Sequence, residues 1–145
     1  MIMSIKTLII LAVLAVVVLL CVTCATKFGK NSKNGSKALV TFPDVDVDEF
    51  QALIADPTVQ LLDVRTRDEF DEGHIAGAVL VDVNESDFVE RAVAVLDKQR
   101  PVAVYCRSGR RSARAANLLV EQGYTVTNLT GGVMAWQDAG KALVK

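Results

Sequence analysis

The stretch Val102-Ala103-Val104-Tyr105-Cys106-Arg107-Ser108-Gly109-Arg110-Arg111-Ser112 decides the fold of this chain. Pro101 opens a four-residue apolar run that reads as a strand. Ala115, Ala116, Leu118 and Leu119 then recur at helical spacing, so residues 112–122 read as a helix with Ser112 able to cap its start. Gly123 follows, a favoured residue just past a helix end. A strand passing through a short loop into a helix is the repeating unit of an α/β domain. Such sheets bind ligands beyond the carboxyl ends of their strands, and Cys106 stands at one.

The same alternation runs outward from this unit. Asp46 with Glu49 three residues on is a helix-start signal, followed by Phe50, Leu53 and Ile54 on one face. Asp56-Pro57 ends that helix. Residues 59–64 form an apolar strand. Thr66 with Glu69 is a second capping-box signal, opening a short helix that Gly73 ends. Residues 78–83 read as a strand, 87–96 as a helix and 124–129 as a last strand. Gly131-Gly132 turns into a final short helix that carries Trp136 and stops at Gly140. Strands that are apolar throughout, alternating with helices, imply a parallel sheet covered on both faces, a three-layer α/β domain.

The amino-terminal part has a different character. Residues Leu8 to Val22 are apolar without interruption, and Lys6 is the only charged side chain before them. The run lacks a polar face, which argues against an amphipathic helix, and it is too long for a strand. It reads as an apolar N-terminal helix, within a signal peptide or transmembrane segment over residues 1–25. Cys21 and Cys24 lie in or beside this run and read as small apolar side chains of the segment, with lipidation of one of them as the alternative. Cleavage after Ala25 is a further possibility. Residues 26–38, rich in Gly, Ser, Asn and Lys, form a flexible linker, and the folded domain spans 39–145. The lysines after the run favour a cytoplasmic domain by the positive-inside rule, whereas a cleaved or acylated signal exports it. The expected location is therefore membrane-associated, in a bacterial cell envelope, with the side of the membrane left open.

Charge divides at the same boundary. Of the 16 basic residues 5 precede residue 39, and all 17 acidic residues follow it, leaving 11 against 17 and a net charge of −6 in the folded part. An acidic domain is a poor general nucleic-acid binder. Against that background Arg107, Arg110, Arg111 and Arg114, all within eight residues of Cys106, stand out. A thiol reacts as its thiolate, and positive charge with a helix N-terminus lowers its pKa. Gly109 supplies the left-handed turn that lets successive loop N–H groups point inward as an anion nest. Cys106 is thus the candidate nucleophile, with Arg107, Ser108, Gly109, Arg110 and Arg111 as its anion-binding loop. Arginines are hard to place in a core, which argues against an inert buried cysteine. His74 is the only histidine and reads as a turn residue rather than a general base. One histidine and one cysteine in the domain disfavour a zinc site.

Residues 106–112 resemble the active-site loop of the rhodanese-family sulfurtransferases. Leu61-Leu62-Asp63-Val64-Arg65 with Glu69-Phe70 resembles the family's first signature. Gly73-His74-Ile75-Ala76-Gly77-Ala78 resembles the second, with Ala76 where proline is commonest. Asn128-Leu129-Thr130-Gly131-Gly132-Val133 with Trp136 resembles the C-terminal one. The resemblance implies a single domain with a parallel sheet of about five strands. It implies transfer of a sulfane sulfur from a small anionic donor such as thiosulfate, through a Cys106 persulfide, to cyanide or a thiol. It implies N–H donation from residues 107–111 to the persulfide, a bracing role for Asp63 and Arg65, and neither metal nor organic cofactor. Partners are then the donor, the acceptor and, through the N-terminal segment, a membrane. Two rivals stand beside this reading. A cysteine phosphatase of related fold places an arginine six residues after its cysteine in a longer loop; here Arg111 is at the fifth position and Ser112 at the sixth. A membrane-tethered sulfur-carrier or sensing module without turnover is the other.

Overall fold

The computed structural model describes residues 41–145. The segments assigned from sequence to residues 1–25 and 26–38 lie outside the described residues. Among the described residues no helix is long and apolar enough to cross a membrane.

Five parallel strands form one sheet: β1 (Asp44–Val45), β2 (Gln60–Asp63), β3 (Val79–Leu80), β4 (Val102–Tyr105) and β5 (Val126–Leu129). Their spatial order is β1-β5-β4-β2-β3, so β4 is central. Five helices connect them: α1 (Val47–Ile54), α2 (Arg67–Glu72), α3 (Phe88–Val95), α4 (Arg110–Glu121) and α5 (Gly132–Asp138). The first two start as the sequence indicates. Asp46 accepts the Glu49 N–H at 2.9 Å, and Thr66 and Glu69 complete a reciprocal capping box.

Burial on both faces explains the unbroken apolar strands. Along β4, Val102 and Val104 point to one side and Ala103 and Tyr105 to the other, and all four are buried. The first side packs Phe88 and Ala92 of α3 and Ala115, Ala116 and Leu119 of α4. The second packs Phe50 of α1 with Val133 and Trp136 of α5. Phe50 meets the Tyr105 and Trp136 rings edge-on, with centroids 6.5 and 6.4 Å apart. Burying side chains of this size contributes about 1.5–3 kcal/mol each.

Three sequence expectations are corrected. The strand expected over 78–83 is only Val79–Leu80, an edge strand. Val81 and Val83 are buried side chains beyond its end, which is why the apolar run outlasts the ladder. The strand expected from residue 124 begins at Val126, because Tyr124 turns its hydroxyl to the Leu96 carbonyl at 3.2 Å. Helix α4 begins at Arg110, not Ser112: Gly109, at φ +90°, is its N-cap, and Ser112 lies inside the first turn. Register places the ends of β2 and β4 side by side, with Asp63 opposite Tyr105, so the turns that leave them share one edge of the sheet.

Candidate active site

Cys106 follows β4 directly and is almost fully buried. The loop after it closes on its own sulfur. The Gly109 N–H donates to Sγ at 3.2 Å. The Ser112 hydroxyl lies 3.4 Å from Sγ and 3.0 Å from the Gly109 carbonyl, so its single proton has two acceptors. Burial pushes the Cys106 thiol up. The Ser112 hydroxyl and the N–H groups of Ser112, Ser108 and Gly109 outweigh it and hold the pKa below the ordinary thiol value. Hydrogen bonding to the charged form is the physical cause.

The loop is held in that shape from outside. The Val133 N–H donates to the Cys106 carbonyl at 2.8 Å, and the Met134 N–H to the Arg107 carbonyl at 3.1 Å. The free donors at the start of α5 thereby take the loop's carbonyls, leaving its own N–H groups for the sulfur. This requires close approach. A Cβ on Gly132, which sits at φ +59°, would collide with the Cys106 carbonyl oxygen and lie 2.7 Å from that of Arg107. Gly131-Gly132 is therefore part of the sulfur site.

The arginines divide. Arg111 makes two bonds to Glu69, Nη1 to Oε2 at 2.7 Å and Nη2 to Oε1 at 2.6 Å. The guanidinium holds the Glu69 carboxyl down at about 2. The negative charge of Glu69, then that of Cys106, raises the Arg111 pKa after its hydrogen bonds to Glu69 have done most. Arg111 thus stands near Cys106 while committed to a carboxylate. Arg107, Ser108 and Arg110 have exposed side chains. Arg114, on α4, is likewise exposed.

Asp63 and Arg65 brace the neighbouring turn. Arg65 donates to Asp63 through Nε at 2.9 Å and Nη2 at 2.6 Å, and to the Gly73 carbonyl at 2.8 Å. Its guanidinium lies 5.6 Å from the Tyr105 ring centre. His74 stacks on Phe70, with ring centres 3.7 Å apart, and pairs its backbone with Val144. Its ring nitrogen Nδ1 lies 3.1 Å from the Phe70 carbonyl oxygen. Among the described residues, no group of three or more His, Cys, Asp or Glu side chains is placed to hold a metal ion.

Sequence reasoning named the loop and placed its three supports in motifs, but not their contacts with it. Ser112 was read as a cap, and nothing in its neighbours distinguishes a cap from a sulfur donor. Glu69 reads in sequence as a helix start and as part of the first signature, and neither reading points to Arg111. The Gly-Gly pair reads as a turn within the C-terminal signature, and neither reading shows its close approach to the loop carbonyls.

The fold and site define the class: a parallel α/β domain with a hydrogen-bonded cysteine at the end of its central strand. Within it, the rhodanese-like domain family matches residues 46–139, and the chain belongs to that family. It is 37% identical over 106 residues to thiosulfate sulfurtransferase 18 of Arabidopsis thaliana, covering 65% of this chain and 77% of that protein. It is 36% identical over 101 residues to the thiosulfate sulfurtransferase GlpE of Shewanella oneidensis, covering 68% and 96%. Among solved structures, the rhodanese-like domain of an Anabaena protein superposes with a TM-score of 0.62 at 33% identity, over 72% of this chain and 80% of that one. The chain is a rhodanese-family protein whose named relatives support a sulfurtransferase.

Proposed function

We propose that the protein moves one sulfane sulfur at a time through a persulfide on Cys106. The observation that carries this reading is the convergence of the Gly109 N–H and the Ser112 hydroxyl on a buried Sγ whose pKa is lowered. A thiolate so held attacks the outer sulfur of thiosulfate. The S–S bond breaks, its electron pair leaves with sulfite, and the transferred sulfur stays on Sγ. The loop donors then stabilise the charge of the persulfide. Cyanide or a thiolate takes the outer sulfur, and the electron pair of the Sγ–S bond returns to Cys106. Arg107 and Arg110, exposed on the loop, draw the anionic donor in. The pairing of Arg111 with Glu69 weighs against phosphate hydrolysis, which needs a free arginine at the anion. The apolar run Leu8–Val22 supports attachment to a membrane or export through one.

The test is intact mass of the full-length chain after thiosulfate treatment. Wild type should gain one sulfur, Cys106→Ser should gain none, and cyanide should remove it with release of thiocyanate. A wild-type chain that gains no sulfur overturns the reading. A chain that gains one and never releases it would instead be a carrier.

A further inference from the structure

Beside the cradle lies a cavity of about 250 Å³ whose lining includes Glu72, Arg107, Val133, Met134 and Gln137. A second hollow of about 210 Å³ shares Glu72 and Gln137 with it and runs on to Gly73 and Leu143. The larger cavity beside Thr66 and Leu80, about 350 Å³, takes no lining residue from the loop 106–112. The groove at Arg107 does, and two more of its residues hold the loop: the Val133 and Met134 N–H groups bond the Cys106 and Arg107 carbonyls.

Its charges are unequal in standing. Arg65 and Glu69 also line the groove, but each is spent, the first on Asp63 and the second on Arg111. Arg107 and Glu72 have no ion-pair partner among the described residues. Among the described residues the groove therefore carries an unpaired cation, on the residue that follows Cys106, and an unpaired anion, Glu72. Val133 and the exposed Met134 lie along the same wall. A dianion such as thiosulfate meets repulsion at Glu72. A molecule carrying both an ammonium and a carboxylate satisfies both groups.

We propose that this groove selects the sulfur acceptor, and that the acceptor is a small thiol bearing an α-amino-acid group. The proposal rests on the persulfide reading above. Arg107 takes the acceptor's carboxylate, Glu72 its ammonium, and Val133 and Met134 the carbon chain. The acceptor enters as its thiolate, having given its proton to solvent. It attacks the terminal sulfur of the Cys106 persulfide. A new S–S bond forms on the acceptor, the Sγ–S bond breaks, and its electron pair returns to Cys106 as thiolate.

Full-length protein is loaded with thiosulfate, freed of excess donor, and discharged with three thiols of differing charge. L-Cysteine carries both groups, cysteamine only the ammonium, and 3-mercaptopropionate only the carboxylate. Rates are compared at equal thiolate concentration. Cysteine should discharge the persulfide about threefold faster than either other thiol, since each of those lacks one of the two partly exposed ion pairs. Glu72→Gln should bring the cysteine rate level with that of 3-mercaptopropionate, while loading from thiosulfate does not fall. Arg107→Gln should bring cysteine down to cysteamine. Equal rates for the three thiols, or a Glu72→Gln variant that still prefers cysteine, overturn the proposal while leaving the persulfide reading in place. Failure to load any sulfur overturns both.

Discussion

The turns that leave β2 and β4 lie side by side at one edge of the sheet, and each carries an arginine soon after its strand. After β2 the charge is consumed at once. Arg65 folds back on Asp63 and on the Gly73 carbonyl, all within the protein. After β4 the opposite holds. Arg107 has no ion-pair partner among the described residues, and the loop's N–H groups face a sulfur that can carry charge. The first turn satisfies its own polar groups and adds stability. The second has its carbonyls taken by α5 and keeps its donors for a ligand. The location of chemistry follows from which donors remain uncommitted rather than from how many charges are present.

Substitutions can break this contrast. Asp63→Asn leaves the Arg65 guanidinium buried without its carboxylate and should cost about 3–5 kcal/mol in urea unfolding. In the folded fraction the pH midpoint for Cys106 alkylation should stay put; a large shift would mean that the two turns are one unit. Gly132→Ala should act on both properties. The added Cβ displaces the Cys106 and Arg107 carbonyls and strains a left-handed residue, costing about 1–3 kcal/mol and lowering sulfur loading on the order of 100-fold. Retained loading would show that α5 does not shape the cradle. Ser112→Ala should do the reverse of Asp63→Asn, leaving stability nearly intact while raising the Cys106 pKa. An unchanged alkylation profile would assign the hydroxyl wholly to Gly109.

The smallest effect is expected at Glu69, which joins α2 to α4. Its carboxyl is held at about 2 in the fold, against about 4.3 in an unfolded chain. A depressed carboxylate stabilises the fold above its unfolded pKa, and that contribution is lost as pH falls through the folded value. Wild type should therefore exceed Glu69→Gln by about 1 kcal/mol above roughly pH 5, the pair being partly exposed. The gap should close as the pH approaches about 2. A gap that persists there would show that the carboxylate charge is not its source.

Much of this was legible in the sequence. The central strand matches its apolar run, Val102–Tyr105, because both of its faces are buried and nothing interrupts it. The capping box at Thr66 and Glu69 is local chemistry and reads locally. Strand β1 was not legible, because two residues carry no periodicity and are placed by backbone pairing with β5. The start of α4 was misplaced because Gly109, in a left-handed conformation, lets the helix begin beneath the sulfur. Glu69 meets Arg111 from 42 residues away, and Gly132 meets Cys106 from a different strand end. Such partners are set by the sheet order, which brings β5 and β2 to either side of β4.

The central claim is that donors on the loop hold the Cys106 pKa down despite its burial. It is tested by the rate at which iodoacetamide labels Cys106 as pH is raised, read on the peptide containing Cys106 so that Cys21 and Cys24 do not contribute. The account predicts a midpoint clearly below the ordinary thiol value of about 8.5. A midpoint at or above that value would show that burial outweighs the loop donors, and would contradict it.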